Sequence, residues 1–213
     1  MEVASLGAKA LLALGSRAEL KEALRDEATQ AGVLRASPSV AEWKRWSLPL
    51  TNGVLRESLR LNPPAGGGFR IAQEGITVGG YDVEAGTVVT ADPRISNAMP
   101  TLHPQPSVFE PRRWVAPADG PGGAGGDAGG GGACPFAGAA RRLGSSAWHP
   151  GGIGAHGCPG VPLAELCGRV LLTRWLERVD SWRPVDGSPA EVPYELIPIK
   201  IPLDDYALKL TVT

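Results

Sequence analysis

Apolar residues along the first third of the chain recur at helical spacing. Val3 to Leu14 is rich in Ala and Leu and predicts a helix. Ser16 and Glu19 have the spacing of a capping box, which would open a second helix. In that helix Leu20, Ala23, Leu24 and Ala28 share one face, and Gly32 ends it. A third helix is predicted from Thr51, as N-cap, to Leu61, with Pro63-Pro64 forcing the chain out of helix. On it Glu57 and Arg60 stand at i, i+3, where two side chains can pair or reach a common partner.

The period then shortens. Phe69–Ala72, Ile76–Val78, Tyr81–Val83 and Thr87–Val89 are short β-type runs separated by Gly75, Gly79-Gly80 and Gly86, which predicts a small antiparallel sheet with tight turns. Asp92 to Val115 is Pro-rich and reads as irregular. From Pro162 onward Leu163, Cys167, Val170, Leu171, Trp175 and Val179 fall on one helical face, while Leu166, Leu172 and Leu176 add apolar surface elsewhere. That composition predicts a helix buried nearly all round. Tyr194 to Val212 alternates around Pro198 and Pro202 and predicts edge strands or a hairpin. There is no internal repeat.

Composition alters this picture at one place. Ten of the 29 glycines lie between Gly120 and Gly138, among Ala, Asp and Pro, so this run cannot bury apolar area and reads as an insert in an ordered domain. A formal net charge of −1 provides no electrostatic footprint for nucleic acid or an anionic membrane. No stretch reaches the roughly 18 apolar residues of a membrane span, and none reads as a secretory signal. Three irregularly spaced cysteines argue against a disulfide framework, making a reducing compartment the default expectation.

The chemistry concentrates in Trp148-His-Pro-Gly-Gly-Ile-Gly-Ala-His-Gly-Cys158-Pro-Gly160-Val-Pro-Leu163-Ala164-Glu165. A cysteine between glycines, just before a helix N-terminus, suits a thiolate, because the helix N–H groups and dipole favour negative charge there. Amide hydrogen bonds to such a sulfur would tune its electron donation to a metal. Two other readings are weaker. Gly152 to Gly157 formally matches G-x-G-x-x-G, but no β run precedes it and no βαβ unit surrounds it. A zinc site from Cys134, Cys158, Cys167 and His149 lacks any C-x-x-C or H-x-x-x-H spacing. Cys167 reads as a buried apolar residue, Cys134 as an exposed thiol, and His103 and His149 as loop residues.

This segment resembles the ligand loop of the cytochrome P-450 superfamily, F-x-x-G-x-[RH]-x-C-x-G followed by an apolar residue and Ala. Gly154, His156, Cys158 and Gly160 match in register, and Leu163-Ala164 follow at the expected offset. Gly151 stands where the family has an aromatic, and Trp148 is the candidate to cover the thiolate instead. Glu57-Ser58-Leu59-Arg60 is similar to the family's E-x-x-R motif. Phe109-Glu110-Pro111-Arg112-Arg113-Trp114 resembles its F-x-P-E-R-[FW] motif, with Arg112 replacing the usual Glu.

The resemblance implies a mainly α fold with small antiparallel β-sheets, the C-terminal portion of the cytochrome P-450 fold. It divides the chain into 1–32 (end of the distal helix and the helix after it), 48–62 (the E-x-x-R helix), 69–90 (small sheet), 103–115 (meander), 116–147 (Gly-rich insert), 148–182 (cysteine loop and buried helix) and 192–213 (C-terminal strands). It implies haem b with Cys158 as axial ligand, cofactor contacts from Arg70, Gly154, His156, Gly160 and Ala164, and a structural network of Glu57, Arg60 and Arg113. Pro64, Ala65, Gly66 and Gly67 would face the substrate, and the turn at Leu203-Asp204-Asp205 would reach the same pocket. The family's distal acid–alcohol pair would lie at or before residue 1, and so would any membrane anchor, leaving location open between cytoplasmic and membrane-associated. The implied activity is a monooxygenase acting on a small hydrophobic organic substrate with electrons from a ferredoxin or flavoprotein reductase. Peroxygenase or isomerase chemistry, or a truncated non-catalytic product, are the alternatives.

Overall fold

The structure is a computed structural model that describes residues 3–34, 38–115, 150–151, 157–185, 194–196, 200–202 and 207–212. The helices come first: α1 (Val3–Gly15), α2 (Ala18–Gln30), α3 (Val40–Arg45) and α4 (Pro49–Leu61). Four short strands follow, β1 (Gly68–Ile71), β2 (Ile76–Val78), β3 (Tyr81–Val83) and β4 (Val88–Ala91). Then come α5 (Pro93–Asn97), a 3₁₀ turn (Pro111–Trp114) and the long α6 (Val161–Arg178). The chain ends in β5 (Val179–Pro184), β6 (Tyr194–Leu196), β7 (Lys200–Pro202) and β8 (Leu208–Val212).

One core joins α1, α2, α4, α6 and β5. Leu6, Ala10 and Leu14 of α1 meet Leu24 of α2, Val54, Leu55 and Leu59 of α4, and Ala164, Leu172 and Leu176 of α6. Trp182 of β5 closes the cluster, its Nε1 donating to the Leu11 carbonyl at 2.7 Å. Gly168 lets α6 approach α4 closely: a β-carbon there would lie 2.8 Å from Leu55 Cδ2.

The start of α4 differs from the sequence expectation. The helix begins at Pro49 rather than Thr51, its N-cap Leu48 has no capping side chain, and the cap comes from another helix. Glu27 of α2 accepts from the Leu50 and Thr51 amides at 2.6 and 2.9 Å and from the Thr51 hydroxyl at 2.6 Å. A carboxylate at a helix N-terminus satisfies orphan donors and complements the dipole whatever element carries it. Glu27→Ala is therefore expected to cost about 1–2 kcal/mol, as loss of a strong N-cap does, measurable as a lower urea midpoint.

Two further corrections concern caps. Ser16 and Glu19 form no capping box: α2 starts after Arg17, whose side chain does not cap it. The box is instead made by Ser39 and Glu42, reciprocally bonded at the start of α3, a helix too short to show in the periodicity. Gly32, at φ +69°, does end α2, with the Val33 amide returning to Ala28 O.

Helix α6 is buried along one stripe only, Ala164, Gly168, Leu172, Thr173 and Leu176. Leu163 is 59% exposed and Leu171 37%, so the predicted Leu163–Leu171 face is not the core face. Small residues at 164 and 168 decide the matter, because they admit the neighbouring helices where larger side chains would not.

The described strands form four two-stranded antiparallel ladders, and the 69–90 region holds two of them rather than one sheet. β1 pairs with β4 and β2 with β3, the latter through a Gly79-Gly80 turn with both φ positive. β5 pairs with β8 and β6 with β7. The Pro-rich stretch after β4 is more regular than expected, because Asp92 caps α5 and Glu110 caps the 3₁₀ turn. No helix among the described residues is long and apolar enough to cross a membrane.

Candidate haem-thiolate site

Cys158 lies two residues before Gly160, the N-cap of α6, whose first turn holds Pro162. Proline is well placed there, since the N–H it lacks would be an orphan. The Cys158 amide donates to Gly151 O at 2.7 Å, closing the approach loop on itself, and the Ala164 amide donates to Gly160 O at 2.9 Å. The thiol is half-buried and is held below its ordinary pKa, chiefly by the Gly160 N–H, with burial opposing and the Val161 N–H assisting. A β-carbon at Gly160 would sit 3.5 Å from Sγ, an ordinary van der Waals contact. Amide donors on an ionisable sulfur, exposed on one side, suit an axial thiolate ligand of a haem iron. Cys158 and Cys167 are both outside any disulfide, and no cluster of three or more His, Cys, Asp or Glu capable of holding a metal occurs among the described residues.

Gly151, where the family has an aromatic, is sterically closed. A β-carbon there would lie 2.4 Å from Val161 Cγ2 and 3.1 Å from Cys158 Cβ. The local packing therefore accommodates glycine at this departure from the pattern.

Behind the cysteine helix, Glu57, Arg60 and Arg113 are brought together. Glu57 Oε1 accepts from Arg60 Nη2 (2.8 Å), the Glu110 amide (3.0 Å) and Arg113 Nε (3.1 Å). Its Oε2 accepts from Arg60 Nε (2.9 Å) and from Trp114 Nε1 (2.8 Å). All four side chains are buried. Burial pushes the Glu57 carboxyl upward, but the bonds from Arg60, the Glu110 amide and Trp114 outweigh it and hold the group below its ordinary value. Both guanidiniums spend their remaining donors on main-chain carbonyls. Arg60 reaches Asn97, Pro106 and Val108, and Arg113 reaches Pro104, Gln105 and Val108. Arg112, the second departure from the pattern, is exposed and stands outside this network.

Other anticipated residues are less convergent. Arg70 is exposed on β1, its Nη1 donating to the Phe69 carbonyl at 2.8 Å. Ala164 is fully buried in the core stripe. Pro64 is buried and Ala65 exposed, while Gly66 has open space where a side chain would project. Gly67 needs its φ of +106°, and a β-carbon there would collide with Ala91 O. Gly154, His156, Trp148, His149, Cys134 and the Leu203-Asp204-Asp205 turn lie outside the described residues.

Four residues have roles that the sequence does not signal. Trp114 was visible in the motif but had no assigned role as a donor to Glu57. Glu27 and the buried Lys21 carried no local signal, because their partners are distant in sequence. His103 lies in a loop, as expected, but is buried there, its ring 5.9 Å from that of Trp114.

Comparison with known proteins agrees with this geometry. The family model described as Cytochrome P450 matches residues 6–197. The cyclooctat-9-en-7-ol 5-monooxygenase of Streptomyces melanosporofaciens is 32% identical over 67% of this chain and 26% of its own. Cytochrome P450 26A1 of Xenopus laevis is 26% identical over 90% of this chain and 35% of its own. The solved structure of a retinoic acid bound cyanobacterial CYP120A1 superposes with a TM-score of 0.75 at 26% identity, covering 99% of this chain and 42% of that one. The chain thus spans well under half the length of these relatives. With the cysteine loop, the Glu57 network and the family model all in agreement, the chain belongs to the cytochrome P450 family.

Proposed function

We propose that this chain provides the thiolate half of a haem monooxygenase site, with Cys158 as the axial ligand. The observation that carries the reading is the placement of the Cys158 thiol, half-buried just before the N-terminus of α6 with the Gly160 N–H as its chief donor. Cys158 would hold haem b, which when bound would supply dioxygen activation for inserting one oxygen atom into a small hydrophobic organic substrate, with electrons from a ferredoxin or flavoprotein reductase.

The chain's own residues prepare for this in three ways. The Gly160 and Val161 amides favour the deprotonated sulfur and moderate the charge it can donate. The α6 stripe fixes the helix that carries the sulfur to α1 and α4. Glu57, Arg60 and Arg113 pin residues 104–114 into one shape behind it. Arg70, Gly154 and His156 would contact the cofactor, and the open space at Gly66 would leave room for substrate beside it.

The test is the absorption spectrum of the purified full chain with added haem, reduced and exposed to carbon monoxide. A Soret band strongly shifted to the red is expected, and Cys158→Ala should remove the shift altogether. A band that is unshifted, or that survives in Cys158→Ala, would overturn the assignment.

A further inference from the structure

The cysteine loop and the first residue of α6 meet at a single side chain. Val161 opens the helix and is half-buried. Its amide is one of the donors to the Cys158 sulfur, which fixes its backbone within hydrogen-bond reach of Sγ. Its side chain reaches the other end of the loop. Val161 Cγ2 lies 2.4 Å, and Cys158 Cβ 3.1 Å, from the point that a β-carbon on Gly151 would take. The isopropyl group thus fills the room beside residue 151, next to the base of the cysteine. The bond of 2.7 Å from the Cys158 amide to Gly151 O draws residue 151 onto the same contact. A β-branched side chain is stiff at χ1, so valine presents a fixed shape there. Gly151 and Val161 share one volume, which holds a side chain from only one of them.

We propose that Val161 is a positioning residue for the Cys158 sulfur, its isopropyl group wedging residue 151 against the cysteine and keeping water from that flank of the thiol. The departure from the family pattern at Gly151 is then matched by the bulk at Val161. The consequence for haem rests on Cys158 being its ligand, whereas the contact itself does not. The competing account is that Val161 only fills space, the Cys158–Gly151 hydrogen bond alone holding the loop.

Iodoacetamide labelling of the haem-free full chain, read at Cys158 and Cys167 by peptide mass mapping, separates the two. Alkylation needs an accessible thiolate, so Val161→Ala should speed labelling of Cys158 about tenfold relative to Cys167. The β-branched Val161→Thr keeps the wedge and should stay within roughly twofold of the parent. Adding Gly151→Ala to Val161→Ala returns a methyl group to the vacated space, so the double variant should fall back toward the parent rate, the non-additivity expected of a shared volume. An unchanged Cys158 rate in Val161→Ala, a rise shared equally by Cys167, or a double variant no slower than Val161→Ala would overturn the proposal. With haem bound, Val161→Ala should keep the red-shifted carbon monoxide band and move the haem reduction potential to more positive values, because water at the sulfur weakens its electron donation. An unmoved potential would show that the wedge does not cover the sulfur, and its role would fall. A parent chain without the red-shifted band would count against Cys158 as ligand, and the labelling of the variants would still decide the role of Val161.

Discussion

Glu57→Ala is expected to lose about 3–5 kcal/mol of stability, the range for removing one partner from a buried charge network. Against the roughly 5–15 kcal/mol that holds a typical domain folded, that is a large fraction. The cost arises less from the bonds lost than from what stays behind. Arg60, Arg113 and the Trp114 indole would remain buried, with donors aimed at a space that no longer holds a carboxylate. Glu57→Gln should be nearly as damaging, because its amide brings further donors into the same space. The acid dependence has a definite sign. The folded Glu57 carboxyl lies below its ordinary value, so its contribution is present above the unfolded value of about 4.3 and is lost as pH falls through the folded one. Urea midpoints at neutral and acid pH should converge for wild type and Glu57→Ala as the pH drops through that window. Parallel curves would show that the carboxylate's charge is not what stabilises this region.

The second large effect is expected at Trp182. Trp182→Ala should cost about 3–5 kcal/mol, as truncation of a fully buried aromatic does. The indole is 1% exposed, and Trp175 meets it edge-on with centroids 6.0 Å apart. Lys21 Nζ lies 4.6 Å from the ring centroid, and Nε1 donates to Leu11 O. Trp182→Phe keeps most of the apolar area and loses the hydrogen bond, so its cost should be nearer 1 kcal/mol. Chemical denaturation of the two variants side by side checks the split. If Phe were as costly as Ala, the indole hydrogen bond rather than burial would be what ties β5 to α1.

The site was legible in the sequence where a motif compresses several partners into a few positions. Glu57 and Arg60 sit one helical turn apart, and Cys158 sits two residues from the N-cap of the helix that follows it, so local spacing carries their geometry. The motif around Phe109–Trp114 named Arg113 but left the Trp114 role silent, because an indole in a short motif looks the same whether it packs or donates. Long-range capping was beyond reach: nothing near Thr51 indicates that Glu27, twenty-four residues earlier, supplies the carboxylate. Helix α6 misled for a different reason. Its many apolar residues predict burial all round, but the side chains that decide the buried face are the two smallest, Ala164 and Gly168. Hydropathy weights bulk, whereas close helix packing is governed by its absence.

The way Arg60 and Arg113 use their donors has an implication for how this region drifts over evolutionary time. Their targets beyond Glu57 are the carbonyl oxygens of Asn97, Pro104, Gln105, Pro106 and Val108, groups that every amino acid carries. The loop's shape is therefore written in the two arginines and Glu57, and hardly at all in the residues of the loop. Side chains from 104 to 108 are free to be replaced wherever the backbone path tolerates the change. Divergent relatives should thus keep the same loop trace while sharing few of its letters, and alignments through this stretch should be anchored on the charged trio at its borders.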